Sequence, residues 1–519
     1  MHPLGGLARK VGYVEAMKKA GIATLVLDTG DLLAKDAALA VSVIPQERLK
    51  ARILQRGFEK TGCAGIALGE KDVQLMGEVK MPCPWLAANA RAKDRPIEHS
   101  RLIEIAGVKV GIVGLAPTPP KQGGPPYPPP PPDAAWWSQR GITLQSTQKS
   151  AQGEIDALRA QGAELVIVLA HLPIQSAHAL AAKLHGVDLI ASGHDDFPTW
   201  EAQPTPGGAA VVGAGDRGRM FVRLDVRVPA TNPKHAPLAL LKAPNPQNDT
   251  FLTTQVATLE KFLADAGAPT FPGLSRRNAE LQIQGYRKQL ADAHAGTIAP
   301  AGAPAAMMRL INVDATLPED PEIVDLVDQL NVQLKKVNAA APTSPALDLG
   351  PNRYAGIQRC KTCHSAAFEM WKRTPHARAY ATLAKDHRES NLDCVGCHVT
   401  GWMLPGGVGG VQRFQAPKNR AIPDLRDVQC EACHGPLLAH ANNPAIVKAS
   451  SHVNTVVCLG CHTPQQTDGF DPATFVPRIT GPGHVLRSPL PPPRPGGPKP
   501  RLPGAVPGQP AREMLLQNQ

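Results

Sequence analysis

The chain has 519 residues, 43% hydrophobic and 19% charged, so it can bury more than one core, and a prior of about 150 residues per domain gives two to four units. A formal charge of +11 raises nucleic acid as a partner, but no RNA- or DNA-binding signature accompanies it and only 4% of residues are aromatic. No run of about 18 apolar residues occurs, so no helix-length membrane span is expected.

Residues 1–230 alternate short apolar runs with helical spacing. Strands are expected at 23–27, 108–114, 164–170, 187–191 and 209–213, with helices at 11–20 and 151–161, which makes an α/β layered sheet. A polyproline-like insertion at 117–133 reads as an exposed loop. Residues 231–350 read as a helical connector with helices at 253–266, 276–294 and 321–338. In residues 351–486 hydrophobic periodicity fades and Cys and His take over, giving a mostly irregular or α-helical module. The Pro-rich tail 487–519 is expected to be disordered.

The pattern Cys-x-x-Cys-His occurs four times: Cys360/Cys363/His364, Cys394/Cys397/His398, Cys430/Cys433/His434 and Cys458/Cys461/His462. Two thiols at this spacing add to the two vinyl groups of a haem, and the adjacent imidazole reaches the iron. A zinc site or redox dithiol shares CxxC but does not call for a histidine after each second cysteine. Four covalent c-type haems are therefore expected, packed so densely that they form the core of their own module. Residues 352–486 carry 14 Lys+Arg against 9 Asp+Glu, a surplus that haem propionates would offset. Second axial ligands must come from outside the motifs. His376, His387, His440, His452 and His484 are five candidates for at most four positions.

The runs QRCKTCHSAAFEMWKRTPHARAYATL, CVGCHVTGWMLPGG, LRDVQCEACHGPLLAHANNP and VCLGCHTPQQTDGFDP resemble tetrahaem cytochromes of the c-554 type, over roughly residues 354–486. That resemblance implies electron transfer with redox protein partners, three haems with two histidine ligands, and one five-coordinate iron. It also implies His376, His440 and His484 as distal ligands, without settling which serves which haem.

The segments LGGLARK, LVLDTGDLL, PWLAANAR, IVLAHLP and GVDLIASGHDD resemble calcineurin-like phosphoesterases of the 5′-nucleotidase type, in that order. The resemblance implies a two-metal centre at the C-terminal strand ends, with Asp31 as bridging ligand and His171 and His194 as ligands of one metal. The pattern is eroded elsewhere. Glu70 stands where the family has its ligand asparagine, Lys71 where it has a histidine, and Asp196 where it has the last histidine of its GH-x-H segment. Glu70 and Asp196 can still bind metal, whereas an ammonium at Lys71 repels a cation. A retained scaffold with degraded ligands is the favoured reading, with room for one divalent metal (Mn, Zn or Fe).

The chain opens MHPLGGLARKVGYVEAMKK without the hydrophobic region of a secretion signal. Because c-type haem is attached outside the cytoplasm, a periplasmic or otherwise exported protein is expected, with the signal and first strand lost to a misplaced start. Cys63 and Cys83 lie outside the motifs and read first as buried small hydrophobes, with a disulfide as the alternative in an oxidising compartment. An electron relay with a phosphoesterase-like scaffold is the leading function. A metal-dependent phosphoester or 5′-nucleotide hydrolase, and a multihaem oxidoreductase acting on a small nitrogen or sulfur compound, are the alternatives.

Overall fold

The computed structural model describes residues 6–117, 132–195, 198–229, 238–241, 246–264, 276–295, 303–340, 353–415, 423–450, 453–463, 467 and 470–481. Asp196, His452, His484, the body of the Pro-rich insertion and the tail lie outside the described residues. Two compact units are present, one of residues 1–37 and 54–320, the other of 38–53 and 321–519.

In the first unit a six-stranded sheet runs Gln203–Pro204, Ala210–Gly213, Leu189–Ser192, Leu165–Ala170, Val108–Leu115, Ser100–Ile105. Its four central strands are parallel, and both faces are covered, which is why LVIVLA reads as an unbroken apolar run. Alternation sorts the two sides. Val166, Val168 and Ala170 pack with Ala151, Ile155 and Leu158 of the helix Thr147–Ala160. Leu165, Ile167 and Leu169 pack with Ala67 and Leu86, and with Ala306 and Met308, from two further sheets.

One of these joins Val26–Asp28, Cys63–Ala67, Trp85–Leu86 and Ile97–Glu98 in parallel. The other pairs Met220–Arg227 and Ala239–Leu241 with Ala305–Asn312. The helices expected in the connector are present as Pro246–Ala264, Arg276–Ala295 and Pro321–Ala340. The strand Ala305–Asn312 is an addition to that reading. Its sequence AAMMRLIN lacks alternation and is held by an eight-residue antiparallel pairing.

Cys63 and Cys83 form a disulfide with Cα atoms 5.7 Å apart, which corrects their reading as separate buried thiols. The Cys63–Ala67 strand pairs with Trp85–Leu86, two residues beyond Cys83, and this pairing brings the cysteines together.

The second unit has short helices around small apolar clusters, one of Leu383, Val395, Val399 and Val411, another of Tyr354, Val408 and Leu425. Residues 38–53 are tied into it by polar contacts. The Gln46 Oε1 accepts from Asn338 Nδ2 at 2.9 Å and from the Leu392 amide at 2.9 Å, while Asn338 Nδ2 also donates to the Ser390 carbonyl at 2.7 Å. No helix among the described residues is long and apolar enough to cross a membrane.

Candidate functional site: four cysteine–histidine motifs and a buried histidine–carboxylate cluster

In the second unit the first motif ends the helix Ile357–Cys363, the second overlaps Leu392–Val395, the third is the helix Cys430–His434 and the fourth overlaps the 3-10 turn Thr455–Gly460. Helical spacing of i, i+3 puts both sulfurs of a motif on one side, with the histidine next in line. Motifs distant in sequence meet in space: the Cys360 thiol lies beside that of Cys430, and Cys397 beside Cys461. The first motif thus neighbours the third, and the second the fourth.

Four imidazoles are held through Nδ1. Nδ1 of His398 meets the Ala379 carbonyl at 2.6 Å, that of His434 the Ser450 carbonyl at 3.3 Å, that of His440 the Val447 carbonyl at 2.7 Å, and that of His462 the Thr467 hydroxyl at 3.1 Å. The three carbonyl contacts require the proton on Nδ1 and leave Nε2 turned away from it, whereas the Thr467 hydroxyl suits either tautomer of His462.

Two histidine pairs face each other. The ring centroids of His364 and His440 are 6.3 Å apart, and those of His376 and His462 are 6.1 Å apart. Metal–nitrogen bonds of about 2 Å, with each ring centroid roughly 1.1 Å behind its nitrogen, place two trans imidazoles on one iron about 6 Å apart. Burial lowers the basicity of His376, which the neighbouring His462 reinforces, and burial lowers that of His462 too. Both therefore favour the neutral, ligating form. His387 is exposed, in the left-handed region at φ 56°.

The sequence did not single out Glu431, an interior residue of the third motif that is 1% exposed. Its carboxylate accepts from the amides of Ala355 at 2.8 Å, Gly356 at 2.7 Å and Leu437 at 2.7 Å. It fixes the chain entering the first motif against the third. Gln429 assists, accepting from the Ile357 amide at 2.7 Å. Only its place between two motif cysteines could have drawn attention to Glu431.

In the first unit Asp31, Glu70, His171 and His194 all follow the C-terminal ends of parallel strands, where α/β sheets collect ligands. Asp31 adopts φ 59° in the turn after Val26–Asp28, and Gly69 leaves it room, since a Cβ there would lie 2.3 Å from Asp31 Oδ1. The His171 ring is fully buried, and its Nδ1 is 2.6 Å from the Thr29 carbonyl. Its Nε2 is 3.3 Å from Glu70 Oε2 and 3.4 Å from Asp31 Oδ1, while His194 Nε2 is 3.3 Å from Glu70 Oε1.

Asp31 is paired with Lys71. Lys71 Nζ sits 2.6 Å from Asp31 Oδ2 and the Lys71 amide donates to Oδ1 at 3.0 Å, so this carboxylate is matched by a cation of the chain itself. Asp72 accepts from the amides of Asp31, Leu32, Leu33 and Gly69 and holds the loop closed. Burial works to raise the Asp31 and Glu70 carboxyls, but His171, joined by Lys71 at Asp31 and His194 at Glu70, holds both below the usual range. Burial likewise opposes charge on His171, yet Asp31 and Glu70 keep it well above its ordinary value.

Residues 359–435 match the family described as cytochrome c554 and c-prime, a span holding the first three motifs. The chain is 36% identical over 99 residues to cytochrome c-554 of Nitrosomonas europaea, covering 16% of this chain and 38% of that one. The chain thus spans under two fifths of the curated relative it matches. Among solved structures it is similar to a 5′-nucleotidase precursor of Thermus thermophilus, at 16% identity and a TM-score of 0.41 over 64% of this chain and 54% of that one. It is also similar to the Thermus thermophilus sulfate thiohydrolase SoxB, at 17% identity and a TM-score of 0.40 over 64% and 48% of the two chains. The calcineurin-like phosphoesterase YfkN of Bacillus subtilis gives 15% identity and a TM-score of 0.39 over 64% and 90%.

Proposed function

We propose that the chain is an exported tetrahaem electron-transfer protein whose second unit relays electrons between redox protein partners. The observation that carries this reading is the set of four Cys-x-x-Cys-His motifs, three of them inside the region similar to cytochrome c554, folded so that distant motifs meet. Bound haem supplies one-electron iron couples. Cys360/Cys363, Cys394/Cys397, Cys430/Cys433 and Cys458/Cys461 anchor the groups, and His364, His398, His434 and His462 supply the proximal nitrogens.

The imidazole separations support a finer assignment. His364 and His440 would hold one iron, and His376 and His462 another. The contacts between Cys360 and Cys430, and between Cys397 and Cys461, support edge contact between the groups of the first and third motifs and of the second and fourth. Ile446, Val456 and Leu459, each about half exposed or more, offer apolar surface to a porphyrin. The Cys63–Cys83 disulfide favours an oxidising compartment, in keeping with export. The Lys71–Asp31 ion pair counts against the two-metal hydrolase.

Expression with a secretion signal in a host that matures cytochromes c tests the reading. A pyridine haemochrome assay is expected to give four haems per chain, and one or none overturns it.

A further inference from the structure

Glu431 is the only acidic residue between the two cysteines of any motif; the corresponding positions hold Lys361 and Thr362, Val395 and Gly396, and Leu459 and Gly460. Lys361 is exposed, where water and salt screen it, whereas Glu431 is 1% exposed. Both of its oxygens accept from backbone amides, Oε1 from Ala355 at 2.8 Å and Leu437 at 2.7 Å, Oε2 from Ala355 at 3.0 Å and Gly356 at 2.7 Å. A shell made only of N–H donors suits a carboxylate, since a protonated acid would turn its own O–H against one of them. Such donors hold the negative charge in place without cancelling it.

That charge reaches two motifs. Glu431 directly follows Cys430, and Gly356, which donates to its Oε2, has its carbonyl 3.8 Å from Cys360 Sγ. Its field is felt at both ends of the contact: the Cys360 thiol is pushed up by Cys430 and by burial, with Glu431 adding to them, and the Tyr354 hydroxyl by burial and then by Glu431. Resting on the tetrahaem reading, we propose that Glu431 sets the reduction potential of the haems on the first and third motifs, holding them below the value their ligands alone would give. Reduction of Fe(III) to Fe(II) adds one electron, and so one unit of negative charge, beside a carboxylate that opposes it. At an effective dielectric constant of about 20, a unit charge shifts a one-electron equilibrium about tenfold out to roughly 12 Å. The first and third haems then pass their electrons on to the second and fourth.

The test is a potentiometric titration of the full haem-loaded chain, followed by electron paramagnetic resonance. Each couple is identified by the signal that is lost in His364→Met, His398→Met, His434→Met or His462→Met. Glu431→Gln, measured on the fraction that retains four haems, is expected to favour reduction of the first or third haem about tenfold or more, which is about 59 mV for one electron. The second and fourth are expected to move less than about threefold. Glu431→Asp also breaks amide bonds but keeps the charge, so it is expected to move every couple less than about threefold. Where Glu431→Gln fails to load four haems, the wild-type order decides, with the first couple expected below the fourth. Unmoved or lowered couples in Glu431→Gln, an equal shift in Glu431→Asp or at all four haems, or, in that fallback, a first couple above the fourth overturns the proposal. Four haems with such couples sink this inference alone, whereas one haem or none sinks the tetrahaem reading and this inference with it.

Discussion

His440 presents its ring to His364 across 6.3 Å at an interplanar angle of 34°, with its Nδ1 tied to the Val447 carbonyl. Nothing in local sequence links the two, since one closes the first Cys-x-x-Cys-His and the other lies in the short helix Leu438–Asn442. If they ligate one iron, His440→Ala leaves that iron with an open position while the cysteines still anchor the haem. Roughly one haem equivalent per chain is then expected to turn high-spin and to bind carbon monoxide when reduced. Electron paramagnetic resonance and ferrous carbon monoxide titration check this, and an unchanged spin count refutes the pairing.

The His376–His462 pair gives an independent version, because its members come from the turn Pro375–Arg378 and the fourth motif. His376→Ala is expected to add a second, separate high-spin iron. With His440→Ala in the same chain the two carbon monoxide increments should sum, since the variants open different irons. A double variant with the increment of one alone would place both histidines on a single haem.

Glu431 supports the first motif from inside the third. Glu431→Gln keeps the shape but sets an amide N–H2 against backbone donors now shared between two carboxylate oxygens, leaving at least one buried amide unsatisfied. A loss of about 2 kcal/mol is expected for the second unit. Denaturant unfolding followed at the Soret band reads it, and the haem count per chain should fall with it. A loss below about 0.5 kcal/mol would mean the three amides find other partners.

How much was legible in the sequence divides along physical lines. The strands at 108–114, 164–170 and 209–213 stood out because both faces of the central sheet are covered, and the motif cysteines because haem attachment fixes their spacing. The strand Ala305–Asn312 did not stand out, since its partner lies about 80 residues away in Met220–Arg227 and its own pattern carries no period. The cluster was half legible: Glu70, His171 and His194 were found by resemblance, but the capture of Asp31 by Lys71 depends on the pairing of two strands that brings the turn after Val26–Asp28 against the turn after Cys63–Ala67. Opposition between Lys71 and a cation could be read from charge alone, whereas its ion-pair partner could not. Glu431 was hidden by a motif in which any residue is allowed at its position.

Asp188 gives a test of the scaffold beneath the cluster. It precedes the strand Leu189–Ser192, which leads to His194, and it is 6% exposed. Its Oδ2 is 2.6 Å from Arg159 Nη2 and accepts from the Val166 amide at 2.7 Å. Asp188→Ala leaves the Val166 amide unsatisfied and takes from the Arg159 guanidinium its carboxylate, although the Gly186 and Ala163 carbonyls still accept from it, so the first unit is expected to lose about 3 kcal/mol. Far-UV circular dichroism melts would show the loss, with the haem spectrum of the second unit unchanged. Joint removal of Arg159 and Asp188 should cost less than the two single losses added together.

Lys50 supplies one alkaline pH dependence of the second unit. It lies between Glu47, 2.7 Å away, and Asp393, with which it also pairs, in the segment that packs with the C-terminal residues. Burial acts to lower its pKa, but Asp393 and Glu47 prevail and raise it above the ordinary lysine value of 10.5. A lysine whose folded pKa exceeds its unfolded one contributes its full stabilisation below the unfolded value and loses it as pH rises through the folded one. The second unit should therefore be insensitive to this group up to about pH 10 and weaken above it. Lys50→Met removes the cation but leaves Glu47, 2% exposed, and Asp393 without it, so it is expected to lower stability at pH 7 and to flatten the alkaline decline. Unfolding midpoints of wild type and variant from pH 7 to 11.5 check this, and parallel curves would mean the ion pair contributes nothing to holding residues 38–53 in place.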